Sequence, residues 1–418
     1  MLFIYRLLIN LIIVISPILI LIRIIKNKED TKRFKEKFCF FSNKRVKGKL
    51  IWFHGSSVGE ILSIIPLIEK LENERSINSI LITSSTLSSS KVLTKFKFKK
   101  TIHQFFPIDS NYLTKKFLDY WKPSIAIFIE SEIWPNMLIN IKKKKIPLIL
   151  LNARITKKSY KRWKAIPSSS ELFKNFDLSL PQNSETKKYL VSLGAKNIKL
   201  LGNLKFSEIE FRERKKLTDK QKKFFKSRKL WCASSTHNSE EKICALAHKK
   251  LKSKHKKLLT IIIPRHIQRV NDIAKEIEIL GLISHKHSSK NNIDKNTDIY
   301  LVDTYGDTKT FFEICKTVFL GGSIIPHGGQ NPLEAARYGC NILHGPHTKN
   351  FTEVYELLKK INLTYKIKNS TQLIKLLNQF LYKNINSDKK ANKLKKLGLR
   401  VLEKNYAELN LYIKNNEI

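Results

Sequence analysis

Apolar positions along this chain fall into three patterns. Residues 2–21 are almost continuously apolar, broken by Arg6, Asn10, Ser16 and Pro17, and Arg23, Lys26, Lys28, Lys32 and Arg33 follow at once. A membrane span takes about 20 apolar residues, so this run predicts an anchor helix over residues 1–24. It lacks a small-residue cleavage site and reads as retained, with the basic flank holding the rest of the chain in the cytoplasm. A helix lying in the headgroup plane is the alternative. From residue 50, short apolar runs alternate with helical periodicity. Runs at 50–53, 79–83, 124–129, 147–151 and 178–180 predict buried strands, and helices between them imply a parallel sheet covered on both faces. Residues 207–228 are dense in charge, hold no strong strand and read as a linker. A second alternation follows, with strands expected at 230–233, 258–263, 299–302, 317–320 and 341–343. The fold class expected is therefore α/β, with two Rossmann-like domains (30–206 and 229–385), a cleft between them, and a helical tail over 386–418.

Composition adds charge and compartment. Lys and Arg number 79 against 35 Asp and Glu, a formal net charge of +44. Lys, Ile and Asn are all overused, so part of that charge reflects coding bias. The remainder implies attraction to anionic partners, a phosphorylated lipid or membrane surface first. The lysines are not interleaved with aromatics, and no nucleic-acid-binding signature accompanies them. Cys39, Cys232, Cys244, Cys315 and Cys340 form no C-x-x-C pair, which suits a reducing compartment and argues against a disulfide framework or zinc site.

The candidate chemistry clusters where strands end, because open parallel sheets bind ligands beyond the carboxyl ends of their strands. The first strand breaks at Gly55, and Ile61, Ile64, Ile65, Leu67 and Ile68 open a helix. Glu60 is the carboxylate of that turn; Ser57-Val-Gly-Glu60 fits a capping box as well as a catalytic base. Glu130 and Glu132 end the 124–129 strand on alternate residues, and share a face if the strand continues. Lys205 follows a glycine turn at Gly202. Residues 234–241 resemble a strand end entering a capped helix. Arg265 and His266, with Arg269 nearby, are placed to clamp a phosphate or are a solvated strand end. The turn Asp303-Thr-Tyr-Gly-Asp307 carries a glycine for close backbone approach. Two Gly-Gly pairs, at 321 and 328, bracket a helix start with Asn331 as cap, Pro332 first and Glu334 third. Such a helix start binds anions, and its carboxylate could accept ribose hydroxyls.

Ten segments, His54–Glu60, Glu130–Asn136, Asn152–Thr156, Gly202–Phe206, Ser234–Glu241, Pro264–Arg269, Val302–Asp307, Gly321–Ser323, Gly328–Glu334 and Gly345–Phe351, together resemble the 3-deoxy-D-manno-octulosonic acid (Kdo) transferases of lipopolysaccharide biosynthesis. The resemblance runs in order from the anchor to about residue 355. It implies a GT-B glycosyltransferase at the inner membrane and cell envelope, with its catalytic part cytoplasmic. It further implies a CMP-Kdo donor bound by the C-terminal domain, a lipid A precursor (lipid IVA) acceptor bound by the N-terminal one, and inverting catalysis without metal or cofactor. By position, Glu60 matches the general base, and Glu130 and Lys205 the transition-state-stabilising positions. Arg265, His266, Tyr305, Gly306, Asp307, Asn331, Pro332, Leu333 and Glu334 match the segments that hold CMP. Ser56 stands where alanine is common, Gln330 where the family usually has histidine, Asp307 where it has glutamate, and Ile267-Gln268 where it has Pro-Glu. Two other readings compete: an envelope glycosyltransferase using a UDP-sugar and a lipid-linked acceptor, and a non-catalytic basic membrane- or nucleic-acid-binding protein.

Overall fold

The computed structural model describes residues 2–208, 217–383 and 386–415. It divides into two compact units, Met1–Glu210 with Leu397–Ile418, and Phe211–Lys396. Of the expected 207–228 linker, residues 209–216 lie outside the described residues, and Asp219–Lys226 is helical behind a Thr218/Gln221 capping box. Residues 384–385 and 416–418, at the ends of the expected second domain and tail, also lie outside them.

The first unit carries six parallel strands: β1 (Leu50–His54), β2 (Ser79–Ser84), β3 (Thr101–Phe105), β4 (Ile125–Ile129), β5 (Leu148–Ala153) and β6 (Leu178–Pro181), in spatial order β3-β2-β1-β4-β5-β6. Every residue of β1, β2, β4, β5 and β6 is buried, as expected where helices cover both faces. One face packs Ile51, Phe53, Ile127 and Ile149 against Ile64 and Ile68, joined by Val401, Leu402, Leu409 and Ile413 of the last helix, Ser387–Asn415. The other packs Trp52, Phe128 and Leu150 against Phe117 and Trp121. Burying each such side chain contributes about 1.5–3 kcal/mol, enough in sum to fix the strand ends rigidly. The chain leaves β1 toward β2 and β3, then returns to β4 on the other side of β1, so the strand order reverses between β1 and β4. Ligands of doubly wound sheets bind at such a reversal.

The second unit repeats the plan with seven parallel strands: β7 (Lys229–Thr236), β8 (Leu258–Pro264), β9 (Ser284–Lys286), β10 (Ile299–Leu301), β11 (Thr317–Leu320), β12 (Asn341–His344) and β13 (Thr364–Lys366), ordered β13-β12-β11-β7-β8-β10-β9. Its reversal lies between β7 and β11.

Helix α1 (Leu2–Ile25), about 36 Å long at 1.5 Å per residue, is long and apolar enough to cross a membrane. Phe3, Leu7, Leu11, Val14, Ile18 and Leu21 are exposed. Both its ends nevertheless touch the first unit: the Tyr5 hydroxyl donates to Asp109 Oδ2 at 2.8 Å, Arg6 Nε to Asn136 Oδ1 at 2.9 Å, and Arg23 pairs with Glu29 at 2.9 Å. Ile9, Ser16 and Ile20 are its buried residues, and the exposed apolar side chains take up most of the rest of its circumference.

Candidate active site

Helix α2 (Val58–Glu72) begins where β1 ends. Gly55 permits the close turn: a Cβ there would sit 3.0 Å from Ile129 Cδ1 and 3.3 Å from Glu60 Cβ. Ser57 caps the helix. Glu60 Oε1 accepts from the Ser57 hydroxyl and Oε2 from the Ser56 backbone N–H, both at 2.8 Å. The capping role and a chemical role therefore coexist, since a carboxylate has about four lone-pair sites and two remain. Burial raises the Glu60 pKa, the nearby Glu132 charge raises it further, and the Ser57 bond only partly opposes them. The helix N-terminus would by itself make Glu60 a weaker base; in the structure the net shift runs the other way.

Sequence reasoning paired Glu132 with Glu130 but gave it no role of its own. Its Oε2 accepts from Ser56 Oγ at 2.6 Å, Trp134 Nε1 at 2.7 Å and His54 Nε2 at 3.1 Å. Burial pushes its pKa up, but the His54, Ser56 and Trp134 donors outweigh burial and hold it below the usual carboxylate range. His54 itself is buried, stacked on Phe106 at 3.7 Å between centroids. Ser56 thus bridges two carboxylates of opposite tendency, one held ionised and one made basic.

The expectation that Glu130 and Glu132 share a strand face is corrected. β4 stops at Ile129 and Glu130 adopts φ +56°, so the two side chains part. Glu130, buried, pairs with Lys205 Nζ at 2.5 Å. Lys205 is delivered by a pinned turn: Asn152 Oδ1 accepts from Leu204 N at 3.0 Å, and Asn203 Oδ1 from Lys205 N at 2.9 Å. Asn152 itself has φ +51°, at the bulge where β5 shifts register against β6. Gly398 of the last helix lies against the same turn, where a Cβ would come 2.3 Å from Phe206 O. In the first unit, then, Glu60, Glu130 and Lys205 all stand at the carboxyl ends of β1, β4 and β5 or on a turn fastened to them.

In the second unit, Arg265 and His266 follow β8 and are exposed; Tyr305 and Gly306 are exposed and Asp307 is buried, bonded to the Thr304 hydroxyl. The helix expected to begin with Pro332 instead spans Leu333–Arg337, with Pro332 at the cap and Glu334 second. Asn331 Oδ1 accepts from Leu333 N at 3.1 Å, and Asn331 and Glu334 are exposed. Five residues make only a weak dipole, so an anion here depends mainly on side-chain cations. The glycine pairs serve close packing. A Cβ on Gly321 would lie 2.5 Å from Ser235 O and 2.8 Å from Glu240 Oε2. Buried Glu240 accepts from the backbone N–H groups of His237, Gly322, Ser323 and Ile324 at 2.6–3.1 Å, tying the ends of β7 and β11 together. Among the described residues, no group of three or more His, Cys, Asp or Glu side chains is arranged to hold a metal ion.

A family model described as 3-Deoxy-D-manno-octulosonic-acid transferase (kdotransferase) matches residues 32–208. The chain is 32% identical over 398 residues to a 3-deoxy-D-manno-octulosonic acid transferase of Rickettsia bellii, covering 95% of this chain and 94% of that one. It is 30% identical over 369 residues to the protein of the same name from Aquifex aeolicus, covering 88% and 95%. Among solved structures, a putative UDP-N-acetylglucosamine 2-epimerase from Listeria monocytogenes superposes with a TM-score of 0.56 at 15% identity, over 82% of this chain and 90% of that one. That likeness shows the fold alone, the GT-B class expected from the sequence.

Proposed function

We propose a function from one premise: this chain belongs to the 3-deoxy-D-manno-octulosonic acid (Kdo) transferase family, and so is a glycosyltransferase. In our reading it transfers Kdo from CMP-Kdo to a sugar hydroxyl of a lipid A precursor, lipid IVA, by inverting displacement at the cytoplasmic face of the inner membrane. The acceptor oxygen attacks the anomeric carbon, the bond from that carbon to the phosphate oxygen breaks, and CMP leaves with the electron pair. Glu60 takes the hydroxyl proton as the new bond forms. Lys205, held by Glu130, and Arg265 supply fixed positive charge for the developing anion. His266, residues 305–307 and residues 331–334 hold the cytidylate.

The observation that carries this reading is the state of Glu60: a carboxylate fixed at the strand-order reversal and made more basic by burial and by Glu132. The exposed apolar side chains of α1 and the chain's positive charge fit an acceptor that is itself an anionic lipid. Turnover of a purified lipid A precursor with CMP-Kdo or with UDP-sugars, read by mass spectrometry of the lipid, tests the assignment. The expected product gains Kdo and forms only with CMP-Kdo; product formed only with a UDP-sugar would install the competing glycosyltransferase reading instead.

A further inference from the structure

The reversal of the second sheet gathers three imidazoles, of which only His266 enters the reaction scheme above. His237 follows β7, His266 follows β8, and His327 lies in the loop after β11. The His237 and His327 rings stack at 4.2 Å between centroids and 29° between planes, and His266 stands edge-on to His237 at 5.9 Å. His237 is 7% exposed and forms a floor. Arg265, His266 and His327 are exposed around it. Gly322 keeps the backbone against this floor; a Cβ there would lie 3.2 Å from two His237 ring atoms.

We propose that His237, His266 and His327, with Arg265, form an anion site that takes up a proton when it binds the phosphodiester of a nucleotide-linked sugar. This rests on the reading that the second unit holds the CMP-linked donor. The charges facing His237 are Arg265, His266, His327 and Glu240. Glu240 is fully buried and its oxygens are engaged by four backbone N–H groups, so its charge is already spread over that loop. Burial, then the neighbouring His327, hold His237 below the ordinary imidazole range, with Glu240 opposing and His266 and Arg265 adding to the depression. An arriving phosphodiester supplies the missing negative charge and favours the protonated His237 ring. The neighbourhood allows the change: Gln330 Nε2 lies 3.4 Å from His237 Nε2, and rotating that amide presents oxygen in place of nitrogen once the ring becomes a donor.

The methyl ester of CMP is a suitable probe, because its phosphodiester keeps one fixed charge near neutral pH and cannot itself give or take the proton. Its binding to the full chain in detergent is measured by calorimetry at pH 6 and pH 8, in two buffers of different ionisation enthalpy. Affinity is expected to fall about tenfold from pH 6 to pH 8, with net proton uptake near pH 7. The exposed His327→Gln and the buried His237→Asn should each reduce the uptake, and His327→Gln guards against a folding defect in the other. Binding equally tight at both pH values, or uptake unchanged in His327→Gln, would overturn the site while leaving the donor reading standing. Absence of binding at either pH would remove both.

Discussion

Replacing Glu132 by glutamine removes a charge while keeping shape, and its effect can be worked from the structure. Ser56 reaches Glu60 through its N–H at 2.8 Å and Glu132 through its hydroxyl at 2.6 Å, so a single residue separates the two carboxylates. Three donors spread the Glu132 charge and weaken its reach, so taking about 7 Å and an effective dielectric of about 40–80 gives roughly 0.6–1.2 kcal/mol of repulsion, or about half to one pKa unit. Glu60 works ionised, so its raised pKa sets the acid limb of kcat/KM. In Glu132→Gln that limb should move to lower pH by about half to one unit, while the plateau rate falls roughly two- to threefold because the base is weaker. Initial rates of Kdo transfer from pH 4.5 to 8 provide the assay, with nucleotide affinity and melting temperature as controls. A limb that stays put, or moves to higher pH, would refute the claim that Glu132 tunes Glu60.

Lys205→Met strands a buried carboxylate. Because Lys205 is about a quarter exposed, the cost is about 2 kcal/mol, below that of a fully buried pair. Thermal melting should fall by roughly 4–8 °C; adding Glu130→Gln should recover the melting temperature but not turnover, a split that a merely structural ion pair would not give. Gly398→Ala drives a Cβ toward Phe206 O and should displace the turn bearing Lys205. Steady-state kinetics should then show kcat down about tenfold with the donor KM unchanged, whereas unaltered kcat would show that the turn's position is unimportant.

Much of the fold could be read because its inner strands are unbroken apolar runs buried on both faces. β3, β9 and β13 escaped the reading. All three are sheet edges, and Thr101-Ile-His-Gln-Phe105, Ser284-His-Lys286 and Thr364-Tyr-Lys366 carry the polar side chains that an edge tolerates. Glu60, Glu130 and Lys205 were legible because each follows a strand or glycine signal. The place of Glu132 beside Glu60 was not, since its partners His54 and Ser56 lie 78 and 76 residues earlier and meet it only across the β1–β4 junction. The glycine pairs of the second unit were read as bracketing an anion-binding helix start; that Gly321 and Gly322 also make room for Glu240 and His237 is something no spacing rule reveals. The short helix at 333 has a similar cause: Gly339, at φ +67°, sits where a Cβ would lie 1.9 Å from Ser387 O, so the chain turns there to admit the last helix.

The central claim is that Glu60 accepts the proton of the attacking hydroxyl. Glu60→Gln keeps an oxygen to accept from Ser57 or Ser56 but cannot take a proton at neutral pH. Paired measurement of Kdo transfer and CMP binding by this variant gives the most direct test. The account predicts turnover reduced at least about a thousandfold with CMP affinity unchanged; turnover within tenfold of the parent chain, at equal CMP affinity, would contradict it.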